Sequence, residues 1–190
     1  TLLLALWKKD DETFNRSEYV ALSIALKLYF EKVQQSKLPS PLGDGPGVGL
    51  FPCFNTFYDF LRDEFVPILK EDRVKEKDFD VENFLYVLRP YYKGGEFDYL
   101  LNATENLELL RERFIVFELD NIKDHPILFP VVTIIIMEVF ISKMRKLKGV
   151  RKMILIEEAW KAIAKEGMAE YIKYLFKTVR KFYGEAIVVT

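Results

Sequence analysis

The spacing of apolar residues divides the chain into two parts. In the first part apolar side chains recur every three or four residues, which is the period of an amphipathic helix. The first helix is predicted to begin at Asn15 or Ser17 and to end near Ser36. Its predicted apolar face consists of Tyr19, Leu22, Ala25 or Leu26, Tyr29 and Val33. Two further helices are predicted to begin at the potential N-caps Asn55 and Asp80. The pattern predicts a mostly α-helical subdomain over residues 1–112, with a Gly/Pro-rich loop at residues 37–52.

The second part has short apolar runs that alternate with helical patterns. The predicted strands are Phe114–Leu119, Met153–Ile156 and Ala186–Val189, and the predicted helices span about residues 129–147 and 159–183. This order predicts a βαβαβ unit over residues 113–190 with a parallel sheet and right-handed crossovers. The Met153–Ile156 run does not alternate with polar residues, which predicts a strand buried on both faces.

Two adjacent acids, Glu157 and Glu158, follow the middle predicted strand. Open α/β sheets bind ligands at the carboxyl edge of their strands, and nucleotide hydrolases place an acid there to support Mg²⁺ and another group to orient water. The alternative is a helix N-terminus, where acids interact favourably with the helix dipole. Asp120 and the end of the last strand, at Thr190, are predicted to share the same edge, which favours a nucleotide site.

Composition narrows the function classes. The net charge of −1 argues against a protein whose main role is to coat nucleic acid. The single cysteine, Cys53, excludes an internal disulfide framework, and the single histidine, His125, excludes a multi-histidine metal site. The apolar run at residues 126–142 contains Glu138, so a buried helix explains it better than a membrane span does. No glycine is followed by lysine, so the chain lacks the P-loop pattern.

Six basic residues lie at the end of the apolar helix and the start of the following strand: Lys143, Arg145, Lys146, Lys148, Arg151 and Lys152. They could contact DNA or another anionic partner. The preferred interpretation is a solvated helix C-terminus, where positive charge is favourable.

The chain resembles the TraG-type ATPases of conjugative transposons, which belong to the motor ATPases that energise type IV secretion. The segments that carry the resemblance are MILIEEAWKAIAKEG, FIVFELDNIKDHPILFPVVT, KGGEFDYLLN and RKFYGEAIVVT, and they are most specific within residues 80–190. The resemblance implies part of a RecA-like (P-loop NTPase) parallel sheet with an all-α subdomain. It also implies a hexamer that binds ATP and Mg²⁺ at the cytoplasmic face of the inner membrane, among other secretion-channel proteins.

Carried over by position, the resemblance implies that Glu157 supports Mg²⁺, through water, and that Glu158 is the catalytic glutamate. Arg180 matches a basic position that senses phosphate, in the same or a neighbouring subunit. The family motif usually has Asp at its first acid, whereas this chain has the longer Glu157. Because the P-loop is missing, the chain is expected to be a C-terminal portion that neither binds ATP tightly nor hydrolyses it alone. The alternative function is a non-catalytic interaction module of a conjugation complex.

Overall fold

The computed structural model describes residues 2–8, 15–36, 49–104, 109–157 and 168–189, which form two compact units. One unit comprises Thr13–Asn106, and the other comprises Thr1–Glu12 together with Leu107–Thr190. A short helix at the start of the chain, α1 (Leu2–Trp7), therefore belongs to the unit that contains the second part of the chain. The reason is apolar packing, because Leu2 packs against the core of the α/β unit. The predicted helical subdomain, residues 1–112, included these residues.

The described part of the first unit contains only helices and turns. Its elements are α2 (Arg16–Ser36), α3 (Phe54–Phe60), a π-helical turn (Leu61–Phe65), α4 (Val66–Glu71), α5 (Val81–Leu88), a 3-10 turn (Arg89–Tyr91) and α6 (Asp98–Leu101). The predicted Gly/Pro loop lies mostly outside the described residues, which resume at residue 49.

Two of the predicted N-caps are confirmed by hydrogen bonds. The Asn15 side-chain oxygen accepts from the Glu18 N–H at 2.8 Å, and the Glu18 carboxylate accepts from the Asn15 N–H at 3.1 Å. This reciprocal pair is a capping box. Asp80 likewise accepts from the Asn83 N–H at 2.8 Å and caps α5.

The predicted cap at Asn55 is wrong. Helix α3 begins after Cys53, whose backbone N–H donates to the Thr56 hydroxyl at 3.2 Å. Asn55 instead lies in the first turn, where its backbone N–H donates to the Asn102 side chain at 2.6 Å. Its side-chain amide also donates to Asp98 at 3.3 Å, so a contact with a distant turn determines the role of Asn55.

Aromatic side chains dominate the core of the helical unit. Tyr29 of α2 contacts the Phe57 ring at a centroid distance of 5.2 Å, and Phe65 and Phe84 are fully buried. The predicted face of α2 is confirmed at Leu22, Ala25, Tyr29 and Val33. It is wrong at Tyr19, which is 61% exposed, because Glu18 takes the buried position in the first turn.

The second unit contains α7 (Leu128–Lys146), β1 (Lys152–Glu157), α8 (Met168–Thr178), a 3-10 turn (Val179–Phe182) and β2 (Gly184–Val189). The two strands are parallel, with Lys152 opposite Gly184 and Glu157 opposite Val189. The predicted α/β class is confirmed. No helix in the described ranges is long and apolar enough to cross a membrane.

The sheet packs one face against the two helices. Ile154, Ile156 and Ala186 contact a core formed by α7, α8 and the turn that follows α8, in which Met144 and Leu175 are almost completely buried. On the opposite face Met153 is 58% exposed and Leu155 is 52% exposed. The prediction of a strand buried on both faces is therefore wrong for the described residues, since helices cover only one side.

The predicted strand Phe114–Leu119 is also wrong, because these residues pair with no described strand. Phe114 is 85% exposed and Val116 is 71% exposed. β-propensity reflects how well a side chain fits a paired and packed surface, and it does not create a strand without a partner. Within the described residues the predicted βαβαβ unit contains two strands.

Candidate functional site

The carboxyl edge of the sheet is formed by the ends of β1 and β2. The parallel register places Glu157, the last residue of β1, beside Val189, the last residue of β2. Exposure alternates along β1, so Glu157 lies on the same solvent-facing side as Met153 and Leu155. One of the two predicted acids is thus at the predicted edge and is accessible.

The carboxylate of Glu157 has no partner among the described residues. None of the described residues forms an ion pair or hydrogen bond with its carboxylate, and no group of three potential metal ligands occurs in the described ranges. Mg²⁺ typically keeps several waters and is held by one or two carboxylates together with substrate phosphates. Glu157 is a carboxylate at this edge that could take part in such a site.

The other members predicted for this edge are not placed there by the structure. Glu158 lies outside the described residues, as do residues 159–167. Asp120 was expected at the edge because a strand was predicted before it, and that strand is not formed. Asp120 lies instead in a turn, where its side chain contacts Lys123 at 3.4 Å.

Arg180 lies at the other end of the sheet. It belongs to the 3-10 turn that leads into Gly184, the first residue of β2, and its side chain is exposed. A strand advances about 3.3 Å per residue, so the two ends of β1 are separated by about 16 Å. The structure therefore does not bring Arg180 and Glu157 of one chain together.

The amino end of the sheet holds the predicted basic cluster. The Lys152 ammonium donates to the backbone carbonyls of Leu147 and Phe182, at 2.5 and 2.8 Å. The Lys143 ammonium donates to the carbonyls of Leu109 and Glu112. Lys152 therefore satisfies a carbonyl at the C-terminus of α7, whereas Lys143 satisfies carbonyls of the segment that precedes this helix. The other four, Arg145, Lys146, Lys148 and Arg151, are exposed.

Sequence reasoning did not connect this cluster with the chain before β2. Parallel pairing places Lys152 opposite Gly184, which brings Lys181 and Tyr183 to the same end of the sheet. The signal was present, because two parallel strands that start in register must bring their preceding residues together.

His125 also has a structural role that was not predicted: its Nδ1 accepts from the backbone N–H groups of Ile127 and Leu128 at the start of α7.

Comparisons with known proteins agree on the type of fold. The fold is similar to VirB4 of Thermoanaerobacter pseudethanolicus, with a TM-score of 0.54 and 16% sequence identity. The likeness covers 100% of this chain and 62% of that chain, so the present chain spans less than two thirds of the VirB4 structure. No curated protein sequence matches.

The structural likeness establishes the fold, and a match to a family model establishes the family. The predicted class, part of a RecA-like parallel sheet with an all-α subdomain, is confirmed by the structure and by its likeness to VirB4. The family model described as the TraG P-loop domain matches residues 1–190. The chain belongs to the TraG P-loop domain family.

Proposed function

We propose that this chain is part of an ATPase that energises conjugative DNA transfer through a type IV secretion system. The observation that carries the proposal is the position of Glu157, an exposed carboxylate at the carboxyl edge of a parallel strand pair, in a chain of a P-loop domain family. The edge where parallel strands end is where α/β sheets bind nucleotides.

The proposed roles of the acids follow from their order along the chain. Glu157 supports the Mg²⁺ of bound ATP, through water, because Mg²⁺ usually keeps several of its waters when it binds protein carboxylates. Glu158 follows it and orients the attacking water. Arg180 is proposed to sense phosphate. Since it lies at the amino end of its own sheet, one strand length (about 16 Å) or more from the carboxyl edge, its target would be nucleotide on a neighbouring subunit.

The phosphate loop is proposed to lie elsewhere in a longer protein. The 190 residues contain no glycine followed by lysine, so they lack the lysine and backbone cradle that hold the β- and γ-phosphates. We therefore expect the chain alone to be inactive. The assembly is proposed to be a hexamer at the cytoplasmic face of the inner membrane, in contact with other channel proteins.

The test is steady-state ATP turnover of the longer, oligomeric protein and its Glu158→Gln variant. Loss of a group that positions the nucleophile is expected to lower kcat by about 100-fold or more, with ATP binding retained. The matched control is Glu185→Gln, an exposed acid at the amino end of β2, which is expected to leave kcat unchanged.

Three results would each contradict a part of the proposal. Equal turnover in Glu158→Gln and the parent would remove the catalytic role of Glu158. No turnover in a folded, oligomeric parent would favour the non-catalytic interaction module. Mg²⁺-dependent turnover by residues 1–190 alone, abolished by Glu158→Gln, would refute the expected inactivity of the isolated chain.

A further inference from the structure

The amino end of the sheet joins two basic segments that are distant in sequence. The Lys152 backbone N–H donates to the Tyr183 carbonyl at 3.0 Å, and the Lys152 ammonium donates to the Phe182 carbonyl at 2.8 Å. Beside them, the Arg145 guanidinium donates to the Tyr174 hydroxyl at 3.1 Å. Residues 143–152 and 177–183 therefore form one continuous surface.

This surface concentrates positive charge in a chain whose overall charge is balanced. Residues 143–152 contain six bases and no acid, and residues 177–181 contain three bases and no acid. We define the amino-end patch as Tyr183 together with five exposed bases, leaving out Arg180 and Lys177, which belongs to α8; the five are Arg145, Lys146, Lys148, Arg151 and Lys181. None of these five forms an ion pair with a carboxylate of the described residues.

Tyr183 is the unusual residue of the patch. Its ring is 66% exposed and its backbone is in the left-handed region, with φ 55° and ψ 40°. Glycine adopts that conformation at helix ends without steric cost, whereas tyrosine does so with strain. The following Gly184 has a different constraint, because a Cβ there would lie 2.5 Å from Val179 Cγ2. An exposed aromatic ring thus lies at the amino end of the sheet, at a strained backbone position.

We propose that the amino-end patch binds a single-stranded nucleic acid. The exposed bases contact the phosphate backbone, and an unpaired base stacks on the Tyr183 ring. Basic grooves that carry aromatic platforms bind single strands in this way, with little dependence on sequence. A duplex is disfavoured, since its bases are already stacked. The site goes beyond the proposed nucleotide function, because it lies at the opposite end of the sheet from Glu157.

The first experiment measures binding of a labelled oligothymidylate of about 20 nucleotides to the purified protein at several salt concentrations. Five phosphate contacts predict a slope of log K against log salt of about −3.5, and the double variant Lys148→Glu/Arg151→Glu should make that slope shallower by about 1.4. The matched control, Lys75→Glu/Lys77→Glu, changes net charge equally in an exposed turn of the helical unit and should leave the slope unchanged.

The second experiment separates stacking from charge. Tyr183→Gly removes the ring at a backbone position that suits glycine, so affinity is expected to fall by about tenfold while Tm stays equal or rises. Tyr183→Phe keeps the stacking surface and should bind like the parent. A duplex of the same length should bind more weakly than the single strand.

Several outcomes would overturn the proposal. The first is that the protein shows no salt-dependent binding of the oligonucleotide. The Lys75→Glu/Lys77→Glu control would overturn it by losing as much affinity as Lys148→Glu/Arg151→Glu, and Tyr183→Gly would overturn it by binding with the affinity of the parent. Vesicles containing anionic phosphatidylglycerol provide the remaining comparison. If vesicles bind the protein through Lys148 and Arg151 and the oligonucleotide does not, the patch is a membrane surface and the nucleic-acid site is wrong.

Discussion

The helical unit and the α/β unit differ in how they use their polar side chains. In the helical unit Asn15 and Glu18 cap α2, Asp80 caps α5, and Asn55, Asp98 and Asn102 connect α3 to α6. In the α/β unit Glu157 at one end of the sheet and Lys148 and Arg151 at the other are exposed without such partners among the described residues. These polar groups of the first unit stabilise its fold, whereas Glu157, Lys148 and Arg151 form no such contacts with the described residues.

The same contrast applies to apolar surface. The core of the helical unit includes fully buried rings such as Phe65 and Phe84. The sheet of the α/β unit is covered by helices on one face and leaves Met153 and Leu155 exposed on the other. Parallel sheets are normally covered on both faces, whereas helices among the described residues cover only one face of this sheet. Mutations that alter packing in each unit can test this difference.

The largest effect is expected from Phe84→Ala in the helical unit. Phe84 has no exposed surface and its ring contacts Phe79 at a centroid distance of 5.7 Å, so truncation leaves a cavity. The expected loss is about 4 kcal/mol in the free energy of unfolding, measured by urea denaturation. The control Tyr86→Ala removes a ring that is 74% exposed in the same helix and should change stability by less than about 0.5 kcal/mol. Similar small losses in both variants would contradict the tightly packed core.

A smaller effect is expected from Gly184→Ala at the start of β2. A Cβ there would approach Val179 Cγ2 at 2.5 Å and the Val179 carbonyl oxygen at 3.1 Å. Because the backbone carbonyl cannot rotate away as a side chain can, we expect a loss of about 2 kcal/mol by urea denaturation. Glu185→Ala, at the exposed neighbouring position, is the control and should be close to neutral. A neutral Gly184→Ala would show that this end of the sheet is loosely packed.

Local features of the fold could be predicted from sequence because their causes are local. The caps at Asn15 and Asp80 depend on residues within three positions, and the period of α2 depends on its own side chains. The prediction that Asn55 caps a helix was wrong because its hydrogen-bond partners, Asp98 and Asn102, are more than forty residues away in sequence. A cap preference cannot indicate which distant groups will compete for the same side chain.

Features of the site that depend on pairing could be predicted only in part. Glu157 was placed correctly at the carboxyl edge, because a short apolar run followed by acids specifies a strand and its end. Phe114–Leu119 has strand-like residues, yet no described strand pairs with it. The amino-end patch was missed because it exists only through the register of β1 with β2. Strand pairing and surface patches depend on contacts between distant segments, which the local sequence pattern does not specify.

The smallest and most specific effect is expected from Asp98→Asn, which tests whether the polar groups of the helical unit are structural. Asp98 Oδ2 accepts from the Gly94 backbone N–H at 3.0 Å, and Oδ1 accepts from the side-chain amides of Asn55 and Asn102 at 3.3 and 2.8 Å. The Gly94 hydrogen bond, followed by those from Asn55 and Asn102, lowers the pKa of Asp98 below its usual value of 3.8. Asparagine replaces one accepting oxygen with a donor, so at least one partner loses its bond.

The sign of the pH dependence follows from that lowered pKa. A carboxylate with a depressed folded-state pKa contributes stability that is fully present above its unfolded value and is lost as pH falls through the folded value. Parent and Asp98→Asn should therefore differ most in urea denaturation near neutral pH and converge as the pH falls below 3.8. Asp78→Asn, an acid for which no hydrogen-bonded partner is seen among the described side chains, is the control and should show no such convergence. If the difference in stability between parent and Asp98→Asn persists unchanged into acid, the charge of Asp98 does not stabilise the helical unit. The contrast with the exposed charges of the α/β unit would then not hold for Asp98.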